Sequence, residues 1–317
     1  ELMGFSQAVA TNTGTSALHV AMKVLGVRPD DLVVLPSYTF VATANAVRMC
    51  GANPWLFDID ADGWGIDASL LASEFARVTQ LRDGFLWHKD LNRRVGAVVA
   101  VCAAGQPPRL KEIGKVATDF NVPLLVAAAG AAGATYGGKP LGSATDHAVL
   151  SFNGNKTFTA GGGGAFLTHD EALAMRVRHL STTARTSEDY SHDTEAYNYR
   201  LTNLQAAVGC AQLEQADNFL ERKWAIDETY RHSWEGTILV PFPRSEWAKS
   251  SCWMTGAVLP QNGRWTVDEL VADLTGRGIQ ARGFWKPMHL QPPYSSCAQT
   301  TMAVTDDLWK RVLTLPS

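Results

Sequence analysis

Short apolar runs alternate with longer stretches of helical periodicity from Ala8 to Phe152, and this alternation constrains the fold more than any other feature of the chain. Ala8–Thr11, Leu32–Leu35, Trp55–Asp58, Ala97–Cys102, Pro123–Val126 and His147–Phe152 read as strands. Ala17–Leu25, Val41–Met49 and Leu110–Phe120 read as helices, and Leu70–Phe85 as a helix with a trailing loop. In the first helix the apolar positions 17, 18, 21, 24 and 25 follow the helical repeat, and Gly26 is a suitable stop. Strands separated by helices pack as a largely parallel sheet, so the fold class is α/β. In such sheets ligands sit where loops leave the carboxyl ends of the strands.

After Phe152 the pattern loosens. Ala165–Thr168 reads as a reversing strand and Glu171–Leu180 as a helix, followed by a polar loop, Ser181–Thr194. Asn203–Tyr230 has long helical periodicity with an expected break, and could link two domains. From about Trp234 the texture changes to short strands, proline-rich turns and one helix, Val267–Arg277. The expected division is a large domain over residues 1–222 and a small α+β domain over 223–317.

Composition narrows the functional classes. A chain of 317 residues with 46% hydrophobic and 19% charged residues is ordinary for a globular protein. A net charge of −3 argues against a general nucleic-acid binder, which needs a basic face. No apolar run approaches the ~18 residues of a membrane span, and no signal-like segment opens the chain. The five cysteines form no CxxC pair, which suits reduced thiols in a cytoplasm. The histidines lack ligand spacing, so no metal site is expected.

The chemistry concentrates in three loops. Ser151–Gly164 carries one lysine, Lys156, and then four consecutive glycines. A lysine at a strand end can be a solvated loop residue, or an imine-forming nucleophile for pyridoxal phosphate if its environment lowers its pKa. Thr13-Gly14-Thr15-Ser16 opens the first helix; it is either a simple N-cap by Thr13 or Thr15 or a phosphate site built from helix-start amides. Phe40 lies on the loop after Leu32–Leu35, where it could cover an aromatic cofactor or plug the core. An aromatic turn, Phe284-Trp285-Lys286-Pro287-Met288-His289, could reach back toward these loops. A dinucleotide-binding dehydrogenase is a poor alternative, since no GxGxxG follows the first strand.

With these motifs in place the chain resembles the DegT/DnrJ/EryC1/StrS sugar aminotransferases. The resemblance rests on Thr13–Leu18, on Pro36–Asn45, on Ser151–Gly164 and on Tyr197-Asn198-Tyr199-Arg200-Leu201, in the family's order. It implies an aspartate-aminotransferase type I fold: a large domain with a mixed, mostly parallel seven-stranded sheet, and a small C-terminal α+β domain. Ser-Phe-Asn-Gly-Asn-Lys and the four glycines look closest to the branch acting on UDP-linked 4-keto-6-deoxy amino sugars, the legionaminic-acid pathway type. The resemblance implies pyridoxal 5′-phosphate as cofactor, with Lys156 carrying it covalently. Gly14 and Thr15 would hold its phosphate, with Ser151 adding a hydroxyl. Phe40 would stack on its ring, and Asn198 would reach the phosphate of the neighbouring subunit, so a homodimer with shared sites is implied. His289 resembles a sugar-side contact. The implied reaction moves an amino group from glutamate to a nucleotide-linked 4-keto sugar, with Lys156 shuttling the proton. The family usually begins some tens of residues earlier and runs on past Pro316-Ser317, so the chain is expected to be a piece of a longer one.

One departure stands out. After the strand ending at Val126 the family has Glu-Asp-Ala-Ala-Gln, whose aspartate pairs with the pyridinium nitrogen. Here Val126 takes the glutamate position, Ala127 that of the aspartate and Gly130 that of the glutamine. The family's Pro-Val-His-Leu-Tyr-Gly is Ala100-Val101-Cys102-Ala103-Ala104-Gly105. Without a carboxylate the ring nitrogen is expected to be mostly neutral and the electron sink weaker. The expectation is therefore an aminotransferase with altered or weakened chemistry. The alternative is a catalytically silent subunit or scaffold on the same fold.

Overall fold

The computed structural model describes residues 1–317. The first lobe begins with β1 (Gln7–Thr11), α1 (Gly14–Val24), β2 (Leu32–Pro36), α2 (Val41–Met49), β3 (Asn53–Phe57) and α3 (Ala68–Val78). A hairpin, β4 (Thr79–Arg82) and β5 (Phe85–His88), precedes β6 (Arg93–Val101), α4 (Leu110–Asp119) and β7 (Leu124–Ala127). Two short strands, β8 (Thr135–Tyr136) and β9 (Lys139–Pro140), lead to β10 (His147–Ser151), β11 (Gly164–Thr168) and α5 (Glu171–Ser181). Two helices follow, α6 (Asn203–Leu213) and α7 (Ala216–Ser233). The remainder is β12 (Val240–Pro241), β13 (Ala248–Lys249), β14 (Thr255–Val258), α8 (Val267–Gly276), β15 (Arg282–Gly283), β16 (Ala298–Gln299), α9 (Ala303–Leu308) and β17 (Val312–Leu315).

The main sheet has the order β1-β11-β10-β7-β6-β2-β3-β16. Its first seven strands are the mixed sheet expected from the sequence. Only β11 runs against the others, pairing antiparallel with both β1 and β10. Two-residue β16 adds an edge beside β3, and the β4–β5 hairpin hangs on β6. The period-2 alternation of the strands sends Val34, Val98, Ala100 and Val126 to one core with α3 and α4. It sends Val33, Val99, Val101, Ala127 and Val149 to the other core, with α1, α2 and α5. Both faces are covered, which is why these strands read as unbroken apolar runs.

One local departure from the sequence reading has a clear cause. The stretch after Val78 is a hairpin rather than a loop; Asp83-Gly84 forms its turn with both residues at positive φ, 53° and 77°. Asp-Gly between apolar runs is a strong hairpin signal. The long helical stretch does break, at Glu214-Gln215, into α6 and α7.

The second lobe is a four-stranded antiparallel sheet, β12-β14-β17-β15, with α8 beside it. The chain between β15 and β17 goes back to the first lobe. The Met288 amide donates to the Ser37 carbonyl at 2.8 Å, and β16 pairs with β3. Asp58, buried after β3, accepts from the amides of Val304 and Thr305 at 2.8 and 2.9 Å and so caps the start of α9.

A buried carboxylate ties α7 to the second sheet. Asp227 accepts from Arg231 at 2.7 Å, Arg244 at 2.6 Å and the Thr255 hydroxyl at 2.5 Å. Burial pushes this carboxyl up, but the hydrogen bonds from Thr255, Arg231 and Arg244 outweigh it and hold the group below its ordinary value. A lowered folded-state pKa stabilises the fold above the unfolded value of about 4, and the benefit is lost as pH falls further. Removing one partner of such a cluster leaves buried charge unpaired, at roughly 3 kcal/mol or more. Asp227→Ala is therefore expected to lower the melting temperature at pH 7 by about 5–10 °C in calorimetry, with a smaller difference below about pH 4.

Candidate active site

The loops at the carboxyl ends of β2, β6, β7 and β10 surround one cavity of about 420 Å³. The start of α1 forms one side. Thr13 caps the helix, its hydroxyl accepting from the Ser16 amide at 2.9 Å. No side chain caps the amides of Gly14 and Thr15, and both residues line the cavity. The cap reading of this turn holds for Thr13, which takes the Ser16 amide and leaves those of Gly14 and Thr15 without a side-chain partner.

The glycine run explains itself by close approach. Gly163 lies at φ 108°, and Thr13 bridges it in parallel fashion. At Gly164 a Cβ would sit 2.6 Å from the Gly14 nitrogen, and at Gly14 a Cβ would sit 2.9 Å from Ser151 Cβ. The three backbones of α1, β10 and β11 meet only because these positions carry no side chain. Ser151 lines the cavity at this junction, so a hydroxyl stands beside the helix-start amides.

Lys156 lines the same cavity. Its loop is held by the Lys156 amide donating to the Asn153 carbonyl at 2.9 Å. The Nζ atom lies 3.2 Å from the ring centre of Trp253, a tryptophan of the second lobe that is only 5% exposed. Burial lowers the pKa of this amine to about 7. A substantial share of it is then the free base at neutral pH, the form that attacks a carbonyl.

Phe40 precedes α2 and is 56% exposed, so it is not a core plug; its ring stands in the cavity wall, 6.3 Å from that of Trp285. The wall facing these groups is apolar. Ala127 lies in register between Val101 of β6 and Val149 of β10, and all three line the cavity with Cys102. The Cys102 thiol is pushed up by burial and stays neutral. No Asp, Glu or His belongs to the lining; its charged side chains are Lys156 and Arg282. Asp146 does not replace the missing acid. It is exposed at the opposite end of β10, about 16 Å along the strand from Ser151.

The other two sequence-derived residues lie outside this wall. Asn198 is exposed on the segment after α5, its carbonyl accepting from Asn12 Nδ2 at 3.5 Å. His289 has both ring nitrogens engaged, Nδ1 with the Ser37 hydroxyl at 2.6 Å and Nε2 with Asp306 at 3.0 Å. It serves as a link between the aromatic turn and the end of β2. Conversely, Trp253 and Arg282 belong to the wall, although nothing near Lys156 in sequence points to them.

Pyridoxal phosphate fits these residues at its phosphate and at its aldehyde. The glycine cradle with Ser151 suits its phosphate, and Lys156 suits its aldehyde. At the position where the family has the partner of the ring nitrogen stands Ala127, in a wall without any carboxylate.

Comparison with known proteins agrees with this architecture. Residues 1–317 match the model of the DegT/DnrJ/EryC1/StrS aminotransferase family. The chain is 35% identical to EpsN of Bacillus subtilis, provisionally named a pyridoxal phosphate-dependent aminotransferase, over 100% of this chain and 80% of that protein. It is 34% identical to the GDP-perosamine synthase of Caulobacter vibrioides, over 99% of this chain and 81% of that enzyme. A crystal structure of a DegT/DnrJ/EryC1/StrS aminotransferase from Brucella abortus superposes with a TM-score of 0.88 at 25% identity, covering 99% of this chain and 81% of the other. By a family match over residues 1–317, 35% identity to a member over the whole of this chain and a shared fold, the chain belongs to the DegT/DnrJ/EryC1/StrS aminotransferase family.

Proposed function

We propose that this protein is a pyridoxal phosphate-dependent aminotransferase that moves an amino group from glutamate to a nucleotide-linked 4-keto-6-deoxy sugar, with a weakened chemical step. The observation that carries the reading is Lys156, a lysine with its pKa lowered to about 7, in one cavity with the glycine-built start of α1. The GDP-perosamine synthase among its relatives supports a nucleotide-linked sugar as the amino acceptor.

The cofactor supplies a reactive aldehyde and an electron-withdrawing ring when bound. The chain's own residues divide the remaining work. The amides of Gly14 and Thr15 and the Ser151 hydroxyl would hold the phosphate. Phe40 would help to keep water from the cavity. Lys156 would hold the aldehyde, and its Nζ would be the group that takes and returns a proton at the substrate carbon. The wall at Ala127 offers no proton to the ring nitrogen, and this is the support for a slow reaction.

The wall also favours a second reading, a silent subunit that binds the cofactor without turnover. Ala127→Asp separates the two. The acid is expected to raise the rate of amine transfer from glutamate at least about tenfold, worth some 1.4 kcal/mol of barrier. Borohydride is expected to fix the cofactor on Lys156, seen by peptide mass, in the parent and the variant alike. Fixation with no transfer in either protein would favour the silent subunit.

A homodimer completes this reading. The helix α6 buries none of its residues in the single chain, and it exposes Leu204 and Val208. Exposed Asn198 lies on the segment that leads into it. A second copy covering α6 would bury this apolar face, and its own Asn198 would reach the phosphate. Lys156→Ala and Asn198→Ala chains are each expected to be impaired as pure dimers. Mixed, they should regain up to about half the parent activity per heterodimer, because one site then carries both groups.

A further inference from the structure

We propose that Trp253 positions the reactive amine of Lys156, and that it can do so only because residue 130 is glycine. The indole occupies the space that a side chain at position 130 would fill: a Cβ there would lie 2.2 Å from Trp253 Cε3 and 2.6 Å from Cδ2. One hydrogen bond holds the ring and two hold the segment that carries it. Its Nε1 donates to the carbonyl of Asn155, the residue next to the lysine, at 2.7 Å. The Ser251 hydroxyl, two residues before it, donates to the Gly130 carbonyl at 2.7 Å, and the Ser251 amide donates to the Gly105 carbonyl at 3.2 Å. The indole face then lies 3.2 Å under Nζ.

Such a face does two things to an amine. It replaces water on one side, which disfavours the charged form, and its quadrupole returns part of that cost to the ammonium. Nothing else in the cavity neutralises the charge. Arg282 on β15 is the other cation of the wall, Cys102 beyond β6 is a neutral thiol, and no carboxylate lines it. From behind, Lys223 of α7 donates to the Trp253 carbonyl at 3.2 Å. Burial dominates, and the amine titrates at about 7. Loss of the indole should let water in and move the lysine back toward its ordinary value near 10.

The inference rests on Lys156 being the reactive group, and its test reads the lysine itself. The full-length chain, freed of bound aldehyde with hydroxylamine, is labelled with an amine-reactive nitroaryl fluoride across pH 5–11. The extent of modification at Lys156 is read by peptide mass. The parent is expected to show a midpoint near 7. Trp253→Ala and Gly130→Ala, which reach the ring from opposite sides, should each raise that midpoint by one pH unit or more. Trp253→Phe, which keeps a ring face and loses the Asn155 bond, should fall between. A parent midpoint near 10, or an unmoved midpoint in whichever of these variants folds, overturns the proposal. Amine transfer from glutamate would be unaffected as a reading by either result, because it is measured on the loaded protein.

Discussion

Three backbone segments touching without intervening side chains set the geometry on which this protein depends. Gly14 at the start of α1, Ser151 at the end of β10 and Gly164 at the start of β11 approach within distances that no Cβ would allow at either glycine. The contact fixes a helix start against a sheet edge, so free amides and a hydroxyl come together without long, mobile side chains. It also aims the loop between β10 and β11, which carries Lys156, over the same space. Helix-start residues, a hydroxyl and an amine thus come to line one cavity.

The cavity's electrostatics are lopsided. Its ionisable lining is cationic or neutral, and a helix start adds partial positive charge. An anionic ligand is welcome there, and a cationic one is not. The cost falls on Lys156, which meets burial without a carboxylate partner and so gives up its proton readily. The same lack of acid that favours the free amine leaves Ala127 in a wall with no carboxyl group able to donate a proton.

The second lobe is part of the site. Trp253, Arg282, Phe284 and Trp285 come from it and close the cavity over the loops of the first sheet. The chain then returns to the first lobe through Met288, β16 and α9, with Asp58 and Ser37 as its anchors. Both ring nitrogens of His289 are engaged on this return, with the Ser37 hydroxyl and with Asp306.

The local pattern determined a good deal. Apolar runs alternating with helical periodicity were enough for the α/β sheet, because strands buried on both faces leave no other composition possible. Thr13 at a helix start was readable because its role is local, whereas the close approach that the glycines after Lys156 make to α1 was not. The absence of acid at Ala127 was equally visible, since a missing side chain is a property of sequence. The Asp83-Gly84 hairpin was present in the letters but concealed by the helix before it. Tertiary structure alone decided that Phe40 faces the cavity and that Asp146 lies at the wrong end of its strand. It alone brought Trp253 across nearly a hundred residues to the face of Lys156, in the room left by Gly130. The reason is general: periodicity records which face of an element is buried, while the partner on that face is set by how the chain returns.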